Sequence, residues 1–142
     1  MSVCTDSRLN ALQAWLTTVF STEVESFKPA SSDASFRRYF RVVHEARSWI
    51  VMDAPPDREN IPAFRQVGRL LHEAGIHVPV VHAADEAQGF LLLDDLGTVS
   101  YYDVWNTPAG LVYYQHALDA LLRMQAEIRP ENHPQWPRYD EA

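Results

Sequence analysis

The sequence predicts an α+β fold: a five-stranded antiparallel sheet with helices, followed by a wholly helical stretch. Three observations carry this. Between Val24 and Met52, three strand-like runs follow one another through short links, as an antiparallel meander requires. A short apolar run, Phe90 to Leu93, is closed by Asp94, Asp95 and Gly97 and reads as a buried last strand. Beyond Gly97 the apolar spacing changes to that of helices.

Taken in order, residues 6–20 form the first helix. Asp6 or Ser7 caps it, and Leu9, Leu12, Leu16 and Val19 make a core-facing stripe with Trp15 and Phe20 beside it. Residues 23–29 alternate weakly (Val24, Phe27) and are read as a first strand ending at Pro29. The small, polar run from Ala30 to Ser35 is a turn. Phe36 to Val43 is a strand with arginine on both faces: Arg38 alternates with Phe36, Phe40 and Val42, while Arg37 and Arg41 alternate with Tyr39 and Val43. Charge on both sides of a half-buried strand implies that at least one guanidinium enters a cleft or meets an acid. His44 to Arg47 connects to a third strand, Ser48 to Met52, which Asp53-Ala54-Pro55-Pro56 stops.

A second helix spans 59–74, with Ile61, Phe64, Val67 and Leu71 on one stripe, Pro62 in the first turn and Gly75 as terminator. His77 to Ala83 is the fourth strand and Phe90 to Leu93 the fifth. Residues 99–105 read as a short helix. Residues 109–128 read as a long one, with Leu111, Tyr114, Leu118, Leu121, Leu122 and Ile128 spaced for one face. Pro130, Pro134 and Pro137 exclude regular helix after it, and Tyr139-Asp140-Glu141-Ala142 resembles the capped start of another.

A chain of 142 residues suffices for one domain with a real core. Its net charge of −7 disfavours nucleic acid and anionic membrane as partners, since both need a basic face. Eleven of the twelve basic residues are arginine; Lys28 is the single lysine. Cys4 is the only cysteine, so no disulfide forms within the chain, which fits a reducing, cytoplasmic setting. No signal-peptide pattern opens the sequence, and no apolar run approaches 18 residues.

The element order, with the sequences Ser32 to Val42, Val51-Met52-Asp53-Ala54-Pro55-Pro56 and Gly89 to Gly97, resembles the aminoglycoside-phosphotransferase-like kinases. Among these it is similar to the bacterial cell-wall amino-sugar kinases, which phosphorylate the anomeric hydroxyl of N-acetylmuramate and N-acetylglucosamine in peptidoglycan recycling. The resemblance implies a protein-kinase-like small lobe at 1–93, a hinge at 94–98, and the first helices of a large lobe at 99–142, truncated. It implies ATP and Mg²⁺ as cofactors and an amino sugar as substrate. Ser32, Asp33, Ala34, Ser35 and Phe36 would form the phosphate loop, although the family usually has glycine where Ser32 stands. Arg38 would meet a phosphate or an acid, and Asp94, Asp95 and Leu96 would face adenine through the backbone C=O of Asp94 and N–H of Leu96.

The third strand departs from most kinases, which place a phosphate-binding lysine there, paired with a helix glutamate. Here Asp53 or Met52 holds that place, and the similar sugar kinases share Met-Asp-Ala-Pro-Pro. Asp53 and Glu59 would then be supporting residues, with Glu59 free to pair with Arg38 or to favour the helix start. The catalytic aspartate and the metal ligands of such kinases belong to motifs that are missing: no His-x-Asp and no Asp-x-Asp occurs in the 142 residues. The resemblance places them beyond Ala142, so the chain alone is expected to be inactive, and an apolar face on its last long helix is expected to favour a dimer. A kinase-like but non-catalytic binding module is the alternative. His72, Glu73, His77 and His82 lack zinc-ligand spacing, Cys4 has no nearby base in sequence, and Trp49, Trp105 and Trp136 read as packing residues.

Overall fold

A computed structural model describes residues 6–32 and 35–136. Cys4, Asp33, Ala34 and the Tyr139–Ala142 motif lie outside the described residues. The elements are α1 (Ser7–Phe20), β1 (Ser26–Ser32), β2 (Arg38–His44), β3 (Arg47–Asp53), α2 (Ile61–Glu73), β4 (Val81–Asp85), β5 (Phe90–Asp94), α3 (Tyr101–Val104) and α4 (Gly110–Glu127), with a 3₁₀ turn at Pro130–Asn132. The five strands form one sheet in the order β1-β2-β3-β5-β4, and every neighbouring pair is antiparallel. The predicted α+β class and five-stranded sheet are therefore present.

Two compact units divide the chain. One comprises residues 1–65 and 79–96, the other residues 66–78 and 97–142. The first holds the whole sheet, with a core on each face. On one face Leu12 and Leu16 of α1 pack with Phe40, Val42, Val51, Phe90 and Leu92. On the other, Ile61 and Phe64 from the start of α2 pack with Met52, Leu91 and Leu93. β5 is buried on both faces, which is why its sequence runs apolar without alternation. Asp6 is the cap of α1, its Oδ1 accepting from Leu9 N.

Several boundaries differ from the sequence reading. β1 does not end at Pro29 but continues to Ser32, with a register shift between Pro29 and Ser31, so the first half of the predicted turn at 30–35 is strand. β1 is an edge strand, where a residue without an N–H is tolerated beside a bulge. β4 starts at Val81 rather than His77, because the Val80 N–H is taken by the Asp94 carboxylate (2.9 Å) before the ladder begins. Gly89 accepts from Ala54 N through its carbonyl (2.8 Å) at φ +84°, and a Cβ there would lie 1.9 Å from the Ala54 oxygen, so only glycine closes this turn.

The second unit contains the remainder of α2 together with α3 and α4. Arg123 of α4 reaches the Gly75 carbonyl (3.4 Å). The predicted stripe on α4 is not buried: Leu111, Tyr114, Leu118, Leu121 and Leu122 are all exposed, while Ala120, Met124 and Ile128 are half-buried. Among the described residues no helix is long and apolar enough to cross a membrane.

Candidate functional site

Strand alternation sorts the arginines of 37–41 onto the two faces of the sheet. Arg38 shares its side with Phe40 and Val42, the α1 face, whereas Tyr39 belongs with the core against α2. Arg38 lies opposite Asp53 in the β2–β3 register. Asp53 is completely buried and is gripped by two guanidinium groups. Arg38 donates Nε (2.9 Å) and Nη2 to Oδ2, and Arg8 of α1 donates Nε (3.0 Å) and Nη2 to Oδ1. Arg8 also reaches the Gln88 carbonyl (2.7 Å), and Arg38 pairs with Asp6 at the α1 cap. Two acids and two bases thus close a neutral cluster between the helix and the sheet. Its electrostatics agree: the hydrogen bond from Arg38 and the Leu9 N–H hold the Asp6 carboxyl below the usual range. The Arg38 guanidinium is pushed up by Asp6 and then by Asp53, against the opposing effect of burial.

Glu59 does not pair with Arg38, contrary to one of the two sequence expectations. It accepts from Arg37 Nε (2.8 Å) and from Phe36 N (3.2 Å). The alternation is the cause, since adjacent residues of a strand point to opposite faces. Arg37 N–H bonds Ser35 Oγ (3.2 Å), and its guanidinium lies 5.4 Å from the Phe64 ring centroid. Burial tends to lower the Arg37 pKa, but the hydrogen bonds to Glu59 and Tyr39 outweigh it and the net shift is upward. Phe36 is exposed, with the Arg58 guanidinium 4.4 Å above its ring. Asn60, not Glu59, caps α2, its Oδ1 accepting from Ala63 N (2.9 Å). An open groove of about 400 Å³ runs along Pro56–Pro62 and Glu86, bordering Glu59; none of the residues from 94 to 97 lines it.

At the end of β5 both acids are engaged. Asp94 accepts from His82 Nε2 (2.7 Å) and Val80 N, with Arg47 Nη2 at 3.5 Å, and the hydrogen bond from His82 does most to lower its pKa. Asp95, almost buried, receives Arg41 Nε (2.6 Å) and Nη2 (3.1 Å) and Ser48 Oγ (2.5 Å). Their side chains therefore tie β2, β3 and β4 to the end of β5. Leu96 is exposed, and among the described residues its N–H donates to no protein group. Gly97 has φ +97°, the left-handed turn that its sequence position suggested.

Of the residues singled out in sequence, Asp33 and Ala34 lie outside the described residues, and Ser32 ends β1. Ser35 and Phe36 lead into the Arg37–Glu59 pair. Arg38 and Asp53 are joined to each other on the α1 face, and Asp94, Asp95 and Leu96 stand together at the end of β5. Sequence reasoning missed Arg8, Arg37, Arg41 and Ser48. Only the presence of arginine on both faces of β2 hinted at paired acids. Of the two residues considered for the lysine's place, Met52 is on the face packed against Ile61 and Asp53 is on the opposite one. Among the described residues no group of three or more His, Cys, Asp or Glu could hold a metal ion.

Comparison with known proteins agrees with this architecture. The chain is 43% identical, over its whole length and 41% of the relative's, to N-acetylmuramate/N-acetylglucosamine kinase of Pseudomonas putida. Over 80% of its length it is 48% identical to the protein of the same name from Pseudomonas aeruginosa, covering 33% of that relative. The Neisseria meningitidis kinase of that name is 32% identical over 89% of the chain and 39% of the relative. The chain thus spans about two fifths or less of the length of these relatives. Residues 26–141 match the APH phosphotransferase enzyme family, and the chain belongs to that family.

Proposed function

We propose that this chain is the nucleotide-binding part of an ATP-dependent amino-sugar kinase, acting on the anomeric hydroxyl of N-acetylmuramate or N-acetylglucosamine in the cytoplasm. The observation that carries the proposal is the whole-chain similarity to the Pseudomonas putida kinase named for those two sugars. The geometry supports it at the end of β5. Asp94 and Asp95 turn their carboxylates into the sheet, which fixes the following backbone, and among the described residues the Leu96 N–H has no protein acceptor. An adenine edge needs such a backbone donor beside a carbonyl acceptor, here that of Asp94.

ATP supplies the phosphoryl group in this chemistry. The role assigned to the chain's own residues is to bind and orient the nucleotide, and no transfer step is assigned to them. The described residues offer no metal ligand set, and no His-x-Asp or Asp-x-Asp occurs in the sequence. With ATP, Mg²⁺ and either amino sugar, the 142-residue chain is predicted to give no sustained sugar phosphate. Steady product formation would overturn this assignment of roles. Nucleotide binding is tested by titrating the amide spectrum with adenosine and ATP. Shifts at Leu96 and Gly97 are expected, and a spectrum indifferent to both ligands would leave the non-catalytic module as the better account.

A further inference from the structure

In most kinases a lysine on the third strand meets a glutamate of the following helix and binds phosphate. Here Met52, uncharged and fully buried, occupies that face of β3, and the only lysine, Lys28, is on β1. Glu59 nevertheless has a cation. Arg37 reaches it from just before β2, and the same carboxylate holds the Phe36 N–H. The acid thereby fixes both the guanidinium and the backbone that immediately follows the 32–35 stretch.

Arg37 and Arg38 differ in what they have left to offer. Arg38 gives Nε and Nη2 to Asp53, and Nη1 and Nη2 to Asp6. Arg37 has one carboxylate partner among the described residues, engaged through Nε. A guanidinium has five N–H donors, so Arg37 keeps donors for a further anion even with Tyr39 as a second neighbour. Its side chain is 29% exposed, against 10% for Glu59, which places the cation outward of the acid that holds it. The Phe64 ring beneath it restricts its swing. A positioned, partly exposed guanidinium with spare donors matches the oxygens of a phosphate chain.

From this geometry we propose that Arg37 binds the phosphates of the nucleotide in place of the missing strand lysine, with Glu59 as its positioning residue. The inference rests on the nucleotide-binding reading above. The test uses the 142-residue chain and amide-shift titrations with adenosine, ATP and inorganic tripolyphosphate. Arg37→Ala should weaken ATP about tenfold, as expected for loss of a charge-assisted contact, and leave adenosine affinity unchanged. Arg37→Lys should recover part of the loss, Glu59→Gln should weaken ATP less than Arg37→Ala, and tripolyphosphate should shift Phe36 and Arg37 in the wild type. A merely structural Arg37 would instead alter adenosine and ATP alike. Were Arg37→Ala to keep ATP affinity within about twofold and a native spectrum, Arg37 would be excluded while the nucleotide reading survived. Should Arg37→Ala fail to fold, Arg37→Lys and tripolyphosphate decide: wild-type ATP affinity in the first and no shift at 36–37 with the second overturn the proposal. A wild type that binds neither adenosine nor ATP overturns both readings.

Discussion

The two faces of one sheet treat charge in opposite ways. On the α1 face, Asp53 is fully buried and shared by Arg8 and Arg38, with Asp6 completing a neutral group of four. On the other face each pair joins a single arginine and a single acid, Arg37 to Glu59, and the arginine stays partly exposed. The first arrangement engages most of its donors and fastens a helix to a sheet. The second leaves donors available. Two arginines adjacent in sequence, Arg37 just before β2 and Arg38 at its start, fall into these different settings because consecutive residues of extended chain face opposite ways. A residue type named from sequence as a phosphate ligand is therefore better judged by its face than by its position in a motif.

The largest effect that would test this contrast is at Asp53. Asp53→Ala leaves two guanidinium groups facing each other across a buried gap and should cost about 3–5 kcal/mol, read as a lowered urea midpoint. Glu59→Gln should cost only about 1 kcal/mol, because Arg37 can turn to water. Equal losses would remove the distinction between the faces. The contrast is sharpened by a repacked variant in which Arg8, Arg38 and Asp53 are replaced together by apolar residues of similar volume. It should lie within about 2 kcal/mol of the wild type or above it, since complete buried ion groups often contribute little net stability. At the end of β5, Arg41→Ala leaves the nearly buried Asp95 with Ser48 as a remaining donor and should cost about 1–2 kcal/mol, with the amides of Asp94 to Gly97 shifting in the same spectra.

The smallest effect is on pH. Asp6 and Asp94 have carboxyl pKa values below the ordinary range, chiefly through Arg38 and His82 respectively. A carboxyl depressed in the folded state binds fewer protons there than in the unfolded chain. Its contribution is complete above the unfolded value of about 4 and disappears as pH falls through the folded one. Thermal melts between about pH 5 and pH 2 should therefore show a decline that Asp6→Asn and Asp94→Asn each flatten. An acid limb unchanged in both variants would mean that neither pair contributes to folding.

Much of the fold was legible because the apolar spacing is strong where burial is strong. Leu12 and Leu16 on α1, the alternation of β2 and the unbroken run of β5 all mark surfaces that the core covers. The boundaries that moved are those where side chains or edges decide. Pro29 is tolerated because β1 has a free edge, and β4 begins late because Asp94 captures the Val80 N–H. The exposed stripe on α4 is the opposite case. Leu111, Tyr114, Leu118 and Leu121 recur at helical spacing, and the spacing located the helix but not what it packs against. At the candidate site, the stretch after β5 and the segment before β2 were identified by motif. Their partners, Arg41 with Asp95 and Arg37 with Glu59, are separated by 54 and 22 positions and could not be paired by spacing.

The sequence by itself determined the α+β class, the order of the elements, the resemblance to a phosphotransferase family and the lack of a strand lysine. These follow from local pattern, composition and motif, which depend on near neighbours along the chain. Only the tertiary structure decided that Asp53 is a buried anchor, that Met52 rather than Asp53 stands on the α2 face, and that Arg37 rather than Arg38 meets Glu59. Those outcomes depend on the register of β2 against β3 and on the face each strand presents, and a shift of a single residue in either would have reversed them.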